Sequence, residues 1–164
     1  MIYIAELKEK IPQKEQSEIG RNLLLRGLQT EYGFTDLPEI SKGVFGKPFF
    51  KEYPEIHFNI SHCDNAVACL IADRPVGLDV ECIKSFDPDL ADYVSTREEF
   101  QQIITNPDPA LAFIILWTKK ESYVKLTGKG LDTQNEIRNI LTNNPINFNT
   151  IINKAGGYVL TSCS

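Results

Sequence analysis

Residues 2–7 (IYIAEL) alternate in the manner of a short strand. Residues 13–32 follow a helical period, with Ile19, Leu23, Leu24, Leu28 and Tyr32 forming an apolar stripe and Gly33 supplying a stop. The next stretch, to about residue 51, is rich in glycine and proline and reads as loop. Two short β-type runs, 56–60 and 66–72, flank the turn-like cluster SHCDN and predict a hairpin. Residues 76–83 predict another strand after the turn DRP. Residues 98–105 read as helix. Asn106 then caps a second helix, with Pro107 at its first position, that runs to Thr127 and stops at Gly128. A loop, a strand at 136–141, and a last strand pair at 146–152 and 158–163 around NKAGG complete the chain.

The hairpin IHFNISHCDNAVACLI has an echo in INFNTIINKAGGYVLTSC. Each reads aliphatic-x-Phe-Asn, a polar turn, then an apolar strand. Chance and duplication both account for one such match. Duplication predicts a single domain of two related halves, about 1–84 and 85–164, with a ligand cleft between them.

Composition narrows the function classes. The chain has 164 residues, 42% hydrophobic and 24% charged, the balance of one soluble globular domain. No run approaches the roughly 18 apolar residues of a membrane helix, and MIYIAELKEK does not read as a secretory signal. Cys63, Cys69, Cys82 and Cys163 form no CxxC pair and no zinc spacing, so reduced thiols in the cytoplasm are expected. Seventeen basic against 22 acidic residues give a net charge of −5, which argues against general nucleic-acid binding. The charge is uneven: residues 117–130 hold Lys119, Lys120, Lys125 and Lys129 against one acid, Glu121. Such a basic island suits a polyanionic ligand.

Three constellations carry candidate chemistry. In GLDVE, Asp79 and Glu81 lie two apart on a strand, so both carboxylates leave one face. Like charges that close are unfavourable without a cation between them, and hard oxygen ligands suit magnesium beside substrate phosphates. The ordinary alternative is a solvent-facing strand edge. In WTKKESYVKLTGKG, Trp117, Glu121 and Lys125 recur on one helix face. Glu121 is placed to complete a three-carboxylate site or to act as a base, with Lys120 and Lys125 neutralising phosphate; a surface Glu–Lys pair is the alternative. NISH puts Ser61 and His62 at a strand end, where His62 can bind phosphate, whereas His57 reads as packed. FGKP offers Lys47 on a rigid turn. Nucleophile-elbow, phosphate-loop and dinucleotide glycine motifs are absent.

In order, GKP, FNISH, GLDVE and WTKKESYVK followed by GKG resemble the Sfp-type 4′-phosphopantetheinyl transferases. GRNLLLRGL (residues 20–28) looks like that family's arginine-containing helix, and GYVLTSCS like its closing strand. The resemblance implies an α+β fold of two similar halves with coenzyme A between them. It implies that Asp79, Glu81 and Glu121 hold Mg²⁺ against the pyrophosphate, and that Lys125 and Lys120 contact phosphates. Ser61 and His62 would face the nucleotide 3′-phosphate, with Arg21 a further ligand there and Lys47 near the adenosine. Glu121 is implied as general base, and Glu98 as an acid near the metal. The partners implied are coenzyme A and an apo acyl or peptidyl carrier protein, met by a cytoplasmic monomer without nucleic acid or membrane. Carrier docking is expected at Lys129 and at Leu131 in a loop over 130–135. The N-terminal half looks short for the family, because residues 2–7 lead almost directly into the arginine helix with only Lys8, Lys10 and Lys14 nearby. Two rival readings stand beside transfer: a non-catalytic relative that binds carrier proteins or acyl-coenzyme A, and a magnesium-dependent phosphoesterase.

Overall fold

The structure, a computed structural model, describes residues 1–130, 133–142 and 146–164. The docking residue expected at Leu131 therefore lies outside the described residues. The first unit begins with strand β1 (Ile2–Glu6) and helix α1 (Gln13–Tyr32). Gly33, at φ 73°, ends α1 in a left-handed cap that an L side chain rarely adopts. Strands β2 (Ile40–Lys42) and β3 (Pro48–Phe50) pair antiparallel around Gly46, also at positive φ (83°). That stretch was expected as loop; its glycines and proline mark the turn of a small hairpin rather than the absence of strands.

Strands β4 (His57–His62) and β5 (Ala66–Ala72) form the expected hairpin, and β1 adds to the other edge of β5 in the order β1-β5-β4. Strand β6 (Gly77–Cys82) belongs to a second sheet, with β7 (Phe148–Asn153) and β8 (Tyr158–Cys163), in the order β6-β8-β7. The division between the sheets thus falls before Gly77, not near residue 84. Both sheets repeat one plan: first strand at an edge, hairpin return strand in the centre.

Between β6 and β7 come α2 (Pro88–Val94), α3 (Arg97–Ile104), α4 (Pro109–Thr127) and α5 (Gln134–Asn139). Helix α2 follows a local cap, Asp87 accepting from the Asp89 and Leu90 amides with Pro88 at the first position. The start expected at Asn106-Pro107 moves to Asp108-Pro109, the next copy of the same signal in NPDP. Asp108 accepts from the Leu111 amide, while Asn106 accepts from the Asp108 amide. Gly128 (φ 65°) ends α4 as expected. Residues 136–141 were expected as strand; instead Thr133 and Glu136 form a capping box that starts α5. Local capping overrides the aliphatic side chains at 137, 140 and 141.

Three apolar clusters give the layering. Ala66, Ala68 and Leu70 of β5 meet Leu78, Val80 and Cys82 of β6 and Leu160 of β8, so the sheets pack face to face. Leu23, Leu24 and Leu28 of α1 cover the outer face of the first sheet. Ala91, Ile103, Phe113 and Ile114 gather α2, α3 and α4 over Val159 on the outer face of the second. The result is an α+β fold of four layers, helix, sheet, sheet, helix. Among the described residues, no helix is long and apolar enough to cross a membrane.

Candidate functional site

The site forms where β4, an edge of the first sheet, runs beside β6, an edge of the second, beneath α4. A Cβ at Gly77 would stand 1.8 Å from the Ser122 carbonyl oxygen, so glycine lets α4 rest directly on β6. With alternation along the strand, Asp79 and Glu81 then share the face that α4 covers. Four residues after Glu121, Lys125 donates to Asp79 Oδ1 at 2.6 Å and to Ser61 Oγ at 2.9 Å. Ser61 donates to Asp79 Oδ1 at 2.9 Å and accepts from the Val80 amide at 3.2 Å, taking the place of a backbone partner at the free edge of β6. Trp117 Nε1 donates to Glu81 Oε1 at 3.3 Å.

The electrostatics are those of crowded acids. Asp79 is 3% exposed, and its Oδ2 has no hydrogen-bond partner among the described residues. Burial pushes the Glu81 and Glu121 carboxyls above the usual carboxylate range, and the Asp79 charge raises both further, against opposing contributions from Lys125 and, at Glu81, Trp117 and Lys84. Glu81 and Glu121 therefore both lie within the field of Asp79. Among the described residues they are not drawn into a ready cluster for a metal ion; the Lys125 ammonium sits on Asp79 instead.

Two recesses flank this centre. One, of about 330 Å³, joins His62 and Glu81 with Lys10, Gln13, Asp64 and Lys84. The other, of about 260 Å³, is a slot lined by Phe45, Lys47, Asn59, Lys125, Gly128 and Gly130. Ser61 and His62, expected to act together, leave opposite faces of β4: the hydroxyl is committed to the Asp79–Lys125 centre and the imidazole opens on the first recess. Lys47 reaches the slot but sends its ammonium to the Leu126 carbonyl at 2.7 Å, where it caps α4. Arg21 is exposed on α1 and lines neither recess.

Two expected residues lie elsewhere. Lys120 does not open on either recess: its side chain is fully buried and bonds Glu99 and the carbonyls of Val94, Ile137 and Arg138. Glu98 is exposed and lines neither recess; its neighbour Glu99 is the α3 acid that reaches α4, and it meets Lys120. Sequence reasoning also missed Asn59, 4% exposed, whose Oδ1 is unpartnered among the described residues and which lines the slot. Its place in FNISH, two residues before Ser61 on the same face, was the available signal.

Residues 75–161, just over half of the chain, match the family model of the 4′-phosphopantetheinyl transferase superfamily, and the chain belongs to that superfamily. A 4′-phosphopantetheinyl transferase of Bacillus subtilis is 35% identical over 117 residues, covering 69% of this chain and 52% of that protein. The transferase psf-1 of Bacillus pumilus is 39% identical over 88 residues, 52% of this chain and 38% of its own. AcpT of Salmonella typhimurium is 38% identical over 114 residues, 66% of this chain and 56% of its own. The chain thus spans about half the length, or less, of several curated relatives it matches.

Proposed function

We propose that this chain transfers 4′-phosphopantetheine from coenzyme A to a serine of an apo carrier protein, with release of 3′,5′-ADP. One observation supports the reading: Lys125 bonds Asp79 at the β4–β6 junction, with Glu81 and Glu121 in the field of Asp79, all inside the family-matched region. The oxygen-only donor set, the orphaned Asp79 Oδ2 and the mutual repulsion of the acids fit a hard divalent cation such as Mg²⁺. Asp79, Glu81 and Glu121 would hold it, and when bound it supplies positive charge to a pyrophosphate.

The remaining work falls to the chain's own groups. Lys125, which lines the slot, would neutralise phosphate oxygens there. His62 and Lys84 line the first recess and would offer donors to a further phosphate there, beside the Lys10–Asp64 ion pair. Glu121 takes the proton of the attacking serine, directly or through water. The serine oxygen bonds the β-phosphorus as the bond from that phosphorus to the bridging oxygen breaks, and 3′,5′-ADP leaves with the bridging oxygen. Four free, buried cysteines suit a reducing, cytoplasmic setting.

Incubation with coenzyme A, Mg²⁺ and an apo carrier, followed by mass spectrometry of the carrier, tests the reading. A phosphopantetheine adduct on the carrier serine is the expected result. Coenzyme A binding without an adduct would replace transfer by a binding role, and coenzyme A cleavage without carrier by phosphoester hydrolysis.

A further inference from the structure

Lys120 is 0% exposed, one residue from Glu121 on the helix that carries the site. An ammonium is costly to bury unless acceptors surround it. This one meets Glu99 Oε2 at 2.8 Å, the carbonyls of Val94 and Arg138 at 2.8 Å each, and that of Ile137 at 3.1 Å. Val94 is the last residue of α2, and Ile137 and Arg138 lie in the last turn of α5, so these carbonyls lack partners within their own helices. Glu99 Oε2 also accepts the Thr96 amide that starts α3. One side chain from α4 thereby joins the ends of three other helices.

Helix α5 leans on such contacts. It buries no residue fully; Ile137 packs partly buried against the apolar cluster of α2, α3 and α4, and further ties are polar: Gln134 and Arg138 donate to the Tyr93 carbonyl, and Arg138 to that of Asp92. Gly128 and Gly130, just ahead of α5 in the chain, line the slot beside Lys125. The placement of α5 therefore bears on how the chain leaves α4 at the site.

We propose that Lys120 is a positioning residue: a buried latch that holds α2, α3 and α5 on the back of α4 and so fixes Glu121 and the slot on its front. Its role in the reaction rests on the transferase reading; its role as a latch does not. Lys120→Met is the test, compared with the native chain in three measurements. Circular dichroism should show the fold retained, and amide exchange over residues 133–142 should quicken at least tenfold. Affinity for coenzyme A should stay within about threefold, because Lys125 and the acids remain, while kcat for carrier modification falls at least tenfold. A tenfold loss of coenzyme A affinity with unchanged exchange would make Lys120 a phosphate ligand and overturn the latch. Unchanged exchange and kcat would overturn it equally. Should Lys120→Met fail to fold, Glu99→Gln keeps the lysine with its three carbonyls but removes the opposing charge. It should quicken the same amides to a smaller degree, and no change there would count against the latch. If the native chain binds coenzyme A yet modifies no carrier, the transferase reading fails while exchange and affinity still decide the latch.

Discussion

The two sheets share a plan, yet each brings different residues to the one site between them. Placing Phe58-Asn59 of β4 on Phe148-Asn149 of β7 aligns the hairpins, because Ile60 pairs with Cys69 as Thr150 pairs with Thr161. Carried across to the edge strands, Tyr3 of β1 takes the position of Asp79 in β6, and Ala5 that of Glu81. Ser61 and His62 correspond to Ile151 and Ile152, which are 39% and 44% exposed. The second unit thus supplies two acids where the first has tyrosine and alanine, and the first supplies a serine and a histidine where the second has two isoleucines. Shared topology supplies positions, and the residues at them decide whether a site exists.

The helices also approach their sheets in opposite ways. In the second unit the glycine is on the strand, and Gly77 admits the backbone of α4, Ser122 O and Leu126 N. In the first unit the glycines are on the helix: Gly20 of α1 faces Ile60, and Gly27 faces Ile71 and Tyr3, all side chains. The largest effect should follow from this contrast. Gly77→Ala must push α4 off β6, since backbone cannot yield 1.8 Å contacts, and a loss of more than about 4 kcal/mol with no transfer is expected. Gly20→Ala meets Ile60 Cγ2 at 2.7 Å, a movable group. Overpacking of about 1–3 kcal/mol, offset by up to about 1 kcal/mol of helix propensity, should leave activity intact. Urea melts of both variants decide it; equal losses would remove the distinction between backbone and side-chain approach.

Equivalent positions give the next test. Asp79→Asn keeps the volume but removes the charge that Lys125 and a cation both use, and kcat should fall by about 10²–10³. Tyr3→Phe removes only an exposed bond to Glu31 and should cost less than about 1 kcal/mol with no kinetic effect. Carrier modification by both proteins is the measurement. Near-native turnover in Asp79→Asn would dissolve the contrast between the units.

How much of this was open to sequence reasoning depended on the range of the interaction involved. Helix α1, the β4–β5 and β7–β8 hairpins and the stop at Gly128 were legible because period and cap are local. GLDVE and Glu121 were legible for the same reason, since spacing alone sets which face they share. Helix α5 was not, because aliphatic residues at 137 and 140 spoke for a strand while one capping box settled the matter. Lys120 and Lys125 read alike in a run of lysines. Their roles diverge because α2, α3 and α5 close over one face of α4 and β6 over the other, which only tertiary packing decides. Glu98 and Glu99 differ by a single helical step, and the same packing selects Glu99.

The raised carboxyls give a pH dependence that the first unit cannot show. Glu81 and Glu121 hold their protons more tightly folded than unfolded. Their contribution to stability is full below the ordinary carboxylate pKa and is lost as pH rises through the raised value. At neutral pH the ionised pair repels Asp79, and a divalent cation should relieve that repulsion. Mg²⁺ should therefore raise Tm more near about pH 7.5 than near about pH 5, where protons compete for the same oxygens. In Asp79→Asn the difference should shrink. Thermal melts with and without Mg²⁺ at the two pH values give the answer; a larger shift in acid would contradict the arrangement.

The smallest effect should come from writing the site residues of one unit into the other. Ile151→Ser with Ile152→His gives β7 the Ser-His pair of β4, at positions already partly open to water. Exposed substitutions away from buried networks usually stay within about 0.5 kcal/mol. Two isoleucines on an edge strand invite association, so the double variant should also be the more soluble protein. No second site should follow. Ser61 works because Asp79 accepts its proton, the Val80 amide binds its oxygen and Lys125 lies on it, whereas Tyr3 and Ala5 bring no acid to the equivalent place. Nor does the first unit carry a strand glycine like Gly77 to bring its helix down on that edge; Met1 stands at that position. Binding of Mn²⁺ followed by electron spin resonance, together with Tm, measures both claims. A second bound ion in the double variant would show that the strand residues alone make the site, and that the position of the helix matters less than the two units suggest.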